Sequence, residues 1–186
     1  MPNYCNYDMK VVGMKKNVEE FIKVLKADYS YSKYEFSFNR HMFRVFDASV
    51  YDEEINNDNE YIVFINGNCA WSVATCMFEN GYYKDVKEKF PNTFKGTTVI
   101  EESKHLQLKI EIFSEECGMC FQEHYLIDNG ELKIDESVDW EEYYLGDYKT
   151  KSEAEEDLGT TITDEEWKEH RTDYIERGGF DWNYSI

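Results

Sequence analysis

Phe121-Gln122-Glu123-His124-Tyr125-Leu126-Ile127-Asp128-Asn129-Gly130-Glu131-Leu132-Lys133-Ile134 is the stretch on which the fold turns. Phe121, Glu123, Tyr125 and Ile127 alternate with Gln122, His124 and Leu126, the period of two that a strand requires. Asn129-Gly130 then predicts a two-residue hairpin, because both residues tolerate positive φ, and it returns the chain into Leu132 and Ile134. Upstream, Leu108, Ile110 and Ile112 alternate with Lys109, Glu111 and Phe113. Consecutive strands joined by short turns predict an antiparallel meander.

Working towards the start of the chain, Thr98 and Glu101 form a capping-box pair that predicts a helix through about Leu106. A helical piece over 82–90 stops at Pro91, which lacks a backbone donor. Tyr61-Ile62-Val63-Phe64-Ile65 reads as a strand, Asn66-Gly67 as its hairpin turn, and Cys69-Ala70-Trp71-Ser72-Val73 as the return. Residues 52–59 read as a solvated loop, and Tyr29 to Phe46 is aromatic without a single period. Tyr7, Met9 and Val11 alternate as a half-buried strand. Asn17, with Glu20 three residues on, predicts the cap of a helix that gathers Val18, Phe21, Ile22 and Leu25 on one face. Strands interleaved with helices in this order make the fold class α+β.

The chain after Glu131 differs in charge. Between Glu131 and Glu169 stand fifteen acidic residues against four basic ones, more than half of the net charge of -19. That concentration makes a field rather than scattered pairs. Thr163 and Glu166 predict a second capping box, and Trp167, Arg171 and Tyr174 a helical stripe ending at Gly178-Gly179. Phe180, Trp182, Tyr184 and Ile186 alternate, which predicts an extended segment pinned to the core by aromatic side chains. The expected organisation is an α+β core over residues 1–138 and an acidic helical extension over 139–186 that ends in a strand packed on the core.

Composition bounds the function. With 186 residues, one domain is the default, and 41% hydrophobic and 17% aromatic residues are too many for a disordered acidic tail. No apolar run has the length of a membrane span, and the opening residues lack the basic and apolar regions of a signal peptide, so the cytoplasm is the expected compartment. Five cysteines, an odd number, predict thiols rather than a disulfide framework. A surface this acidic repels bare nucleic acid and anionic lipid, and favours a basic protein.

Met1-Pro2-Asn3-Tyr4-Cys5-Asn6, Cys69-Ala70-Trp71-Ser72, the turn Glu115-Glu116-Cys117-Gly118 and the run from Tyr125 to Gly130 resemble the YubB ferredoxin-like family, which phages and conjugative plasmids carry. The resemblance covers about residues 1–134. It implies a ferredoxin-like antiparallel sheet with helices on one face and an origin in a mobile element; it implies no enzymatic activity and no catalytic residue.

The residues that carry chemistry are few. Cys117-Gly118-Met119-Cys120 is a single CxxC, with His124 four residues beyond. On a straight strand Cys120 and His124 would stand about 13 Å apart, too far for one metal. Buried thiols are the simpler reading. The chain holds no G-x-S-x-G, P-loop or G-x-G-x-x-G. Adjacent carboxylate pairs such as Glu101-Glu102 and Glu141-Glu142 diverge on any regular element and read as solvated charge. No catalytic residue, metal ligand or cofactor is expected.

Fifteen tyrosines and a surplus of carboxylates describe a protein interface better than a catalytic cleft. The leading expectation is therefore an inhibitor made by a mobile element. Its carboxylates, with Asp139, Glu141, Glu142, Glu153, Glu155, Glu156 and Asp157 as the contact residues, would occupy the groove where a basic host protein holds nucleic acid. Defence nucleases, CRISPR effectors among them, have such grooves. Direct contact with nucleic acid or membrane is not expected. The alternative is a small-molecule or nucleotide-binding sensor or enzyme with a pocket lined by Trp71, Tyr125 and His124.

Overall fold

A computed structural model of the chain describes residues 3–26, 40–56, 60–169, 171–172 and 174–186, with the side chains of 141–142 and 174–177 outside the described set. It is an α+β protein. The first half contains β1 (Tyr4–Gly13), α1 (Lys15–Leu25), β2 (His41–Met42), β3 (Val45–Ile55), β4 (Tyr61–Ala70), α2 (Val73–Met77), α3 (Gly81–Lys89) and β5 (Gly96–Thr97). The second contains α4 (Val99–Leu106), β6 (Lys109–Glu116), β7 (Phe121–Asp128), β8 (Glu131–Tyr144), α5 (Lys151–Leu158), α6 (Asp164–Glu169) and β9 (Tyr174–Gly178).

The main sheet has the order β3-β4-β1-β6-β7-β8-β9, and every neighbouring pair in it is antiparallel. Among the described residues β9 pairs with the far end of β8 alone, while β2 and β5 form a separate two-stranded parallel ladder. The meander expected from Leu108 to Ile134 is β6, β7 and β8, and Asn129 and Gly130 both have positive φ at its tight turn.

Alternation along the strands assigns their two faces. Met9, Val11, Ile65, Ile110, Ile112 and Ile127 point to one side, where Val18, Phe21, Val24 and Leu25 of α1 and Val99 and Leu106 of α4 close the core over them. α4 starts as its sequence predicts: the Thr98 side chain accepts the Glu101 N–H while the Glu101 carboxylate accepts the Thr98 N–H. A smaller cluster of Phe43, Tyr83 and Phe94 lies beneath α3.

Asn66-Gly67 is not a turn. β4 runs straight through it, paired with β1 from Tyr61 to Ala70 and with β3 on its other edge. Two ladders and the burial of Val63, Ile65 and Cys69 outweigh a local turn preference. Gly67 has a different use: a Cβ there would collide with the Asp47 carbonyl and the Tyr7 ring, and Tyr7 donates its hydroxyl to that same carbonyl at 2.8 Å. Only glycine lets these groups approach.

Other expectations also change. Residues 52–55 belong to β3 rather than to a loop; their exposed, acidic sequence suits an edge strand that must not recruit a further strand. Asn17 does not cap α1, which begins after Met14 without a side-chain cap; its amide donates to the Leu106 carbonyl at 2.7 Å and ties α1 to the end of α4. The helical stripe expected through Tyr174 stops at Glu169, and Tyr174–Gly178 is strand β9, because the open edge of β8 offers it a ladder. β8 also crosses the expected boundary at 138/139 without a break. Of the aromatic run from Tyr29 to Phe46, residues 29–39 lie outside the described set, as do residues 57–59.

Candidate functional site

The expected contact carboxylates divide between two elements. Asp139 is exposed on β8; Glu141 and Glu142 follow on the same strand, with side chains outside the described residues. The other four lie on α5, which packs on a small hydrophobic cluster of Leu145, Ala154 and Ile162, flanked by Tyr148, Leu158 and Trp167. This cluster is separate from the main core.

Three of the four α5 carboxylates hold the local structure together. Glu153 accepts the Lys149 N–H at 3.0 Å and donates its own N–H to Thr150 Oγ1 at 3.2 Å, closing the first turn. Glu155 accepts the Ile162 N–H at 3.1 Å, and Asp157 accepts the Tyr148 hydroxyl at 2.8 Å. Glu156 is exposed. Lys151 donates to Asp164 at 2.8 Å, and this bond holds the Asp164 carboxyl below its usual range. The capping box of Thr163 and Glu166 forms as expected, with bonds of 2.7 and 3.1 Å. Arg171 lies 4.1 Å over the Trp167 ring. The acidic segment is thus a built scaffold rather than a string of solvated charge.

A second feature lies on the sheet face opposite the helices. Residues 180–186 cross it outside any strand, the Asn183 N–H donating to the Asp181 carbonyl at 2.7 Å, with Phe180, Trp182, Tyr184 and Ile186 half-buried and the residues between them exposed. Phe180 meets the His124 ring at 5.8 Å, Trp182 stacks on Phe113 at 5.9 Å, and Tyr184 packs against Phe113 and Phe64 at 5.6 and 5.8 Å. These aromatic contacts hold the segment against the sheet, but it is not the expected terminal strand: residues 180–186 join no ladder among the described residues, and the last strand is β9.

Glu111 anchors the end of this segment. Its side chain is 0% exposed, and it accepts the N–H groups of Ser185 and Ile186 at 2.7 and 3.2 Å and the Ser185 hydroxyl at 3.0 Å. His124 Nε2 lies 2.9 Å from the same carboxylate, and the His124 ring stacks on Phe113 at 4.2 Å. At the other end of the seat Gln122 accepts the Phe180 N–H at 2.6 Å; between the two ends, Tyr184 and Tyr51 both donate to Asp8 Oδ1, at 2.6 and 2.9 Å. Burial, followed by the bond to Asp8, raises the Tyr184 hydroxyl far above the usual phenol range. Sequence reading missed Glu111. The available signal was a carboxylate between Ile110 and Ile112, which alternation alone assigns to solvent.

The alternative pocket does not assemble. His124 and Tyr125 are neighbours on β7 and project to opposite faces, His124 towards residues 180–186 and Tyr125 into the core against Phe78 at 4.5 Å. Trp71 is 47% exposed beyond the end of β4. Tyr125 is instead part of a structural network: its hydroxyl donates to Glu123, which also accepts the N–H groups of Val73 and Ala74 and the Ser114 hydroxyl.

Among the described residues no disulfide joins any of the five cysteines, and no group of three His, Cys, Asp or Glu side chains is placed to hold a metal ion. Cys5, Cys69 and Cys76 are buried together, whereas Cys117 is exposed and Cys120 half-exposed, so the CxxC is not the buried pair expected. Hydrogen bonds to Cys5 and Cys76, then burial, push the Cys69 thiol up. Among the described residues no helix is long and apolar enough to cross a membrane.

Compared with known proteins, the chain matches no family model, no curated protein and no solved structure.

Proposed function

We propose that this protein acts by binding a basic, nucleic-acid-binding protein, presenting carboxylates of β8, α5 and α6 where that partner ordinarily holds phosphates. The observation that carries the reading is acidic charge on an ordered frame. Asp139, Glu153, Glu156, Asp157, Asp164, Glu165 and Glu169 are all exposed, and the Leu145, Ala154 and Ile162 cluster, flanked by Leu158 and Trp167, fixes the helices that bear six of them. A mimic of phosphate needs charges fixed before binding, because ordering them on contact would consume the attraction. Inhibition of a host defence nuclease, a CRISPR effector included, is the role this chemistry suits.

The ferredoxin-like reading belongs to the same proposal. It is supported by the order β3-β4-β1-β6, with every neighbour antiparallel, and by the packing of α1 and α4 on one face of those strands. In this reading α5 and α6 are the acidic extension, and the likeness to the YubB family supplies the mobile-element setting.

The test is salt-dependent capture of purified basic nucleic-acid-binding proteins, a CRISPR effector among them, by wild type and by a variant carrying Asp139→Lys, Glu156→Lys, Glu165→Lys and Glu169→Lys. These positions lie outside the local hydrogen bonds of α5. Binding that is steep in salt and lost in the variant supports the proposal; equal binding by both proteins at low salt rejects it.

A further inference from the structure

We propose that Arg44 anchors a binding site for a planar organic oxyanion, a carboxylate or phosphate group carried on an aromatic ring, at the end of the sheet where β1 and β3 begin and β4 ends. The site shares no residue with the acidic surface and stands or falls apart from it. Arg44 lies in the turn between β2 and β3 and is 8% exposed. Its Nε is buried without a hydrogen-bond partner, and among the described residues its guanidinium forms no ion pair. A buried charge is costly unless it is paired, and this one stays unpaired in a chain with 39 acidic residues. Cys76 feels the charge, its thiol being lowered first by the bond from Cys69 and in smaller part by Arg44. It donates to the Ala70 carbonyl at 2.8 Å, however, and so supplies no anion.

The surroundings favour an anion. The guanidinium lies 5.4 Å from the centroid of the Tyr82 ring, in the first turn of α3. There the Asn80 side chain takes the Tyr83 N–H at 3.0 Å, while the N–H groups of Gly81 and Tyr82 have no intrahelical acceptor. A Cβ at Gly81 would meet nothing within 4 Å, so the space beside it is open. The positive end of a helix thus stands close to a planar fork of donors whose shape matches a carboxylate or a phosphate. Glu79, the carboxylate beside this turn, pairs with Lys84 at 3.9 Å instead.

The same end of the sheet leaves aromatic rings in water. Ala70 donates its N–H to the Arg44 carbonyl at 3.2 Å, Trp71 follows it, and Tyr4 stands opposite Ala70 in the strand register, with Phe46 packed on Tyr4 at 5.5 Å. Tyr4, Phe46, Trp71 and Tyr82 are 61%, 38%, 47% and 50% exposed, and they supply flat apolar surface for the ring of a ligand. Arg44 and Trp71 both hold left-handed backbone, with φ of +59° and +73°, which residues other than glycine rarely adopt. Strain of this kind gathers at ligand sites.

The experiment titrates the full chain with phenyl phosphate, benzoate and inorganic phosphate by isothermal calorimetry, using wild type and Arg44→Lys, each checked for folding by circular dichroism. Wild type is expected to bind at least one of the two ring anions, and inorganic phosphate ~10-fold more weakly or less, since it lacks the ring. Arg44→Lys keeps the charge but loses the fork, and is expected to weaken the ring anion ~10-fold or more. The tighter of the two ring anions identifies the head group. Absence of binding of either ring anion to wild type at about 10 mM overturns the proposal. So does equal binding by the folded variant, or inorganic phosphate that binds as tightly as the ring anions. Should the variant not fold, nuclear magnetic resonance of wild type decides: the Arg44 Nε–H and the amides of Gly81 and Tyr82 must shift on adding the ring anion, and shifts confined to other residues overturn the proposal.

Discussion

The carboxylate of Glu111 accepts the backbone N–H of Ser185 at 2.7 Å, across seventy-four positions of sequence. Ile186 N–H, the Ser185 hydroxyl and His124 Nε2 converge on the same two oxygens. A fully buried carboxylate is tolerated because its oxygens are satisfied, and the arrangement depends on both partners being present.

Glu111→Ala is therefore expected to destabilise the protein by about 1–3 kcal/mol, since it removes the buried acceptor shared by the part-buried donors of Ser185, Ile186 and His124. Urea denaturation measures this. Amide exchange at Ser185 and Ile186 should rise in the same variant, and unchanged exchange there would show that the carboxylate does not hold the segment.

Gly67→Ala is expected to cost about 2–3 kcal/mol, because the new methyl group meets the Asp47 carbonyl and the Tyr7 ring in the centre of a doubly paired strand. Thermal unfolding checks it. A neutral result would return Asn66-Gly67 to the role of a turn.

Reversing Glu153, Glu155, Glu156 and Asp157 together to Lys is expected to unfold α5, since three of these carboxylates accept local hydrogen bonds. Far-ultraviolet circular dichroism should lose helix. Reversing Glu156 alone should leave the spectrum unchanged, which separates the loss of structure from the loss of charge.

Alkaline pH provides a fourth test. Burial, then the bond to Asp8, pushes the Tyr51 hydroxyl up to about 12, and the bond to Glu53, then burial, pushes Tyr61 up to about 12. A folded value above the unfolded value of about 10 means that these bonds contribute in full below pH 10 and are lost as pH rises towards 12. Stability should fall across that window, with tyrosinate absorbance appearing late. Tyr51→Phe should flatten part of the decline; an identical profile would remove Tyr51 from its cause.

Thiol labelling separates the cysteines. Cys117 and Cys120 should react with a water-soluble disulfide reagent in the native protein, whereas Cys5, Cys69 and Cys76 should react only on unfolding, because burial and mutual hydrogen bonding keep them from solvent. Cys117→Ser with Cys120→Ser should shift the denaturation midpoint little.

Legibility followed the range of the interactions. The capping boxes at Thr98 and Thr163 and the turn at Asn129-Gly130 were readable because each is complete within four residues. Asn17 and Asn66-Gly67 carry equally good local signals and were misread, since a carbonyl eighty-nine positions away claims the first and two neighbouring strands claim the second. The candidate acidic residues were legible as charge; that Glu153, Glu155 and Asp157 also hold α5 together was not.

The sequence by itself determined the strand and helix periods, the α+β class, the concentration of negative charge after Glu131 and the alternation of Phe180, Trp182, Tyr184 and Ile186. Periodicity shows that such a segment has a face to bury, because side chains on extended backbone alternate. It does not show against what. Only the tertiary structure decided that this face lies across β6 and β7, that Glu111 is buried rather than solvated, and that His124 and Tyr125 serve opposite sides of the sheet. Those outcomes depend on contacts between residues distant in the chain, whose free energies exceed any local preference and leave no mark in the local pattern.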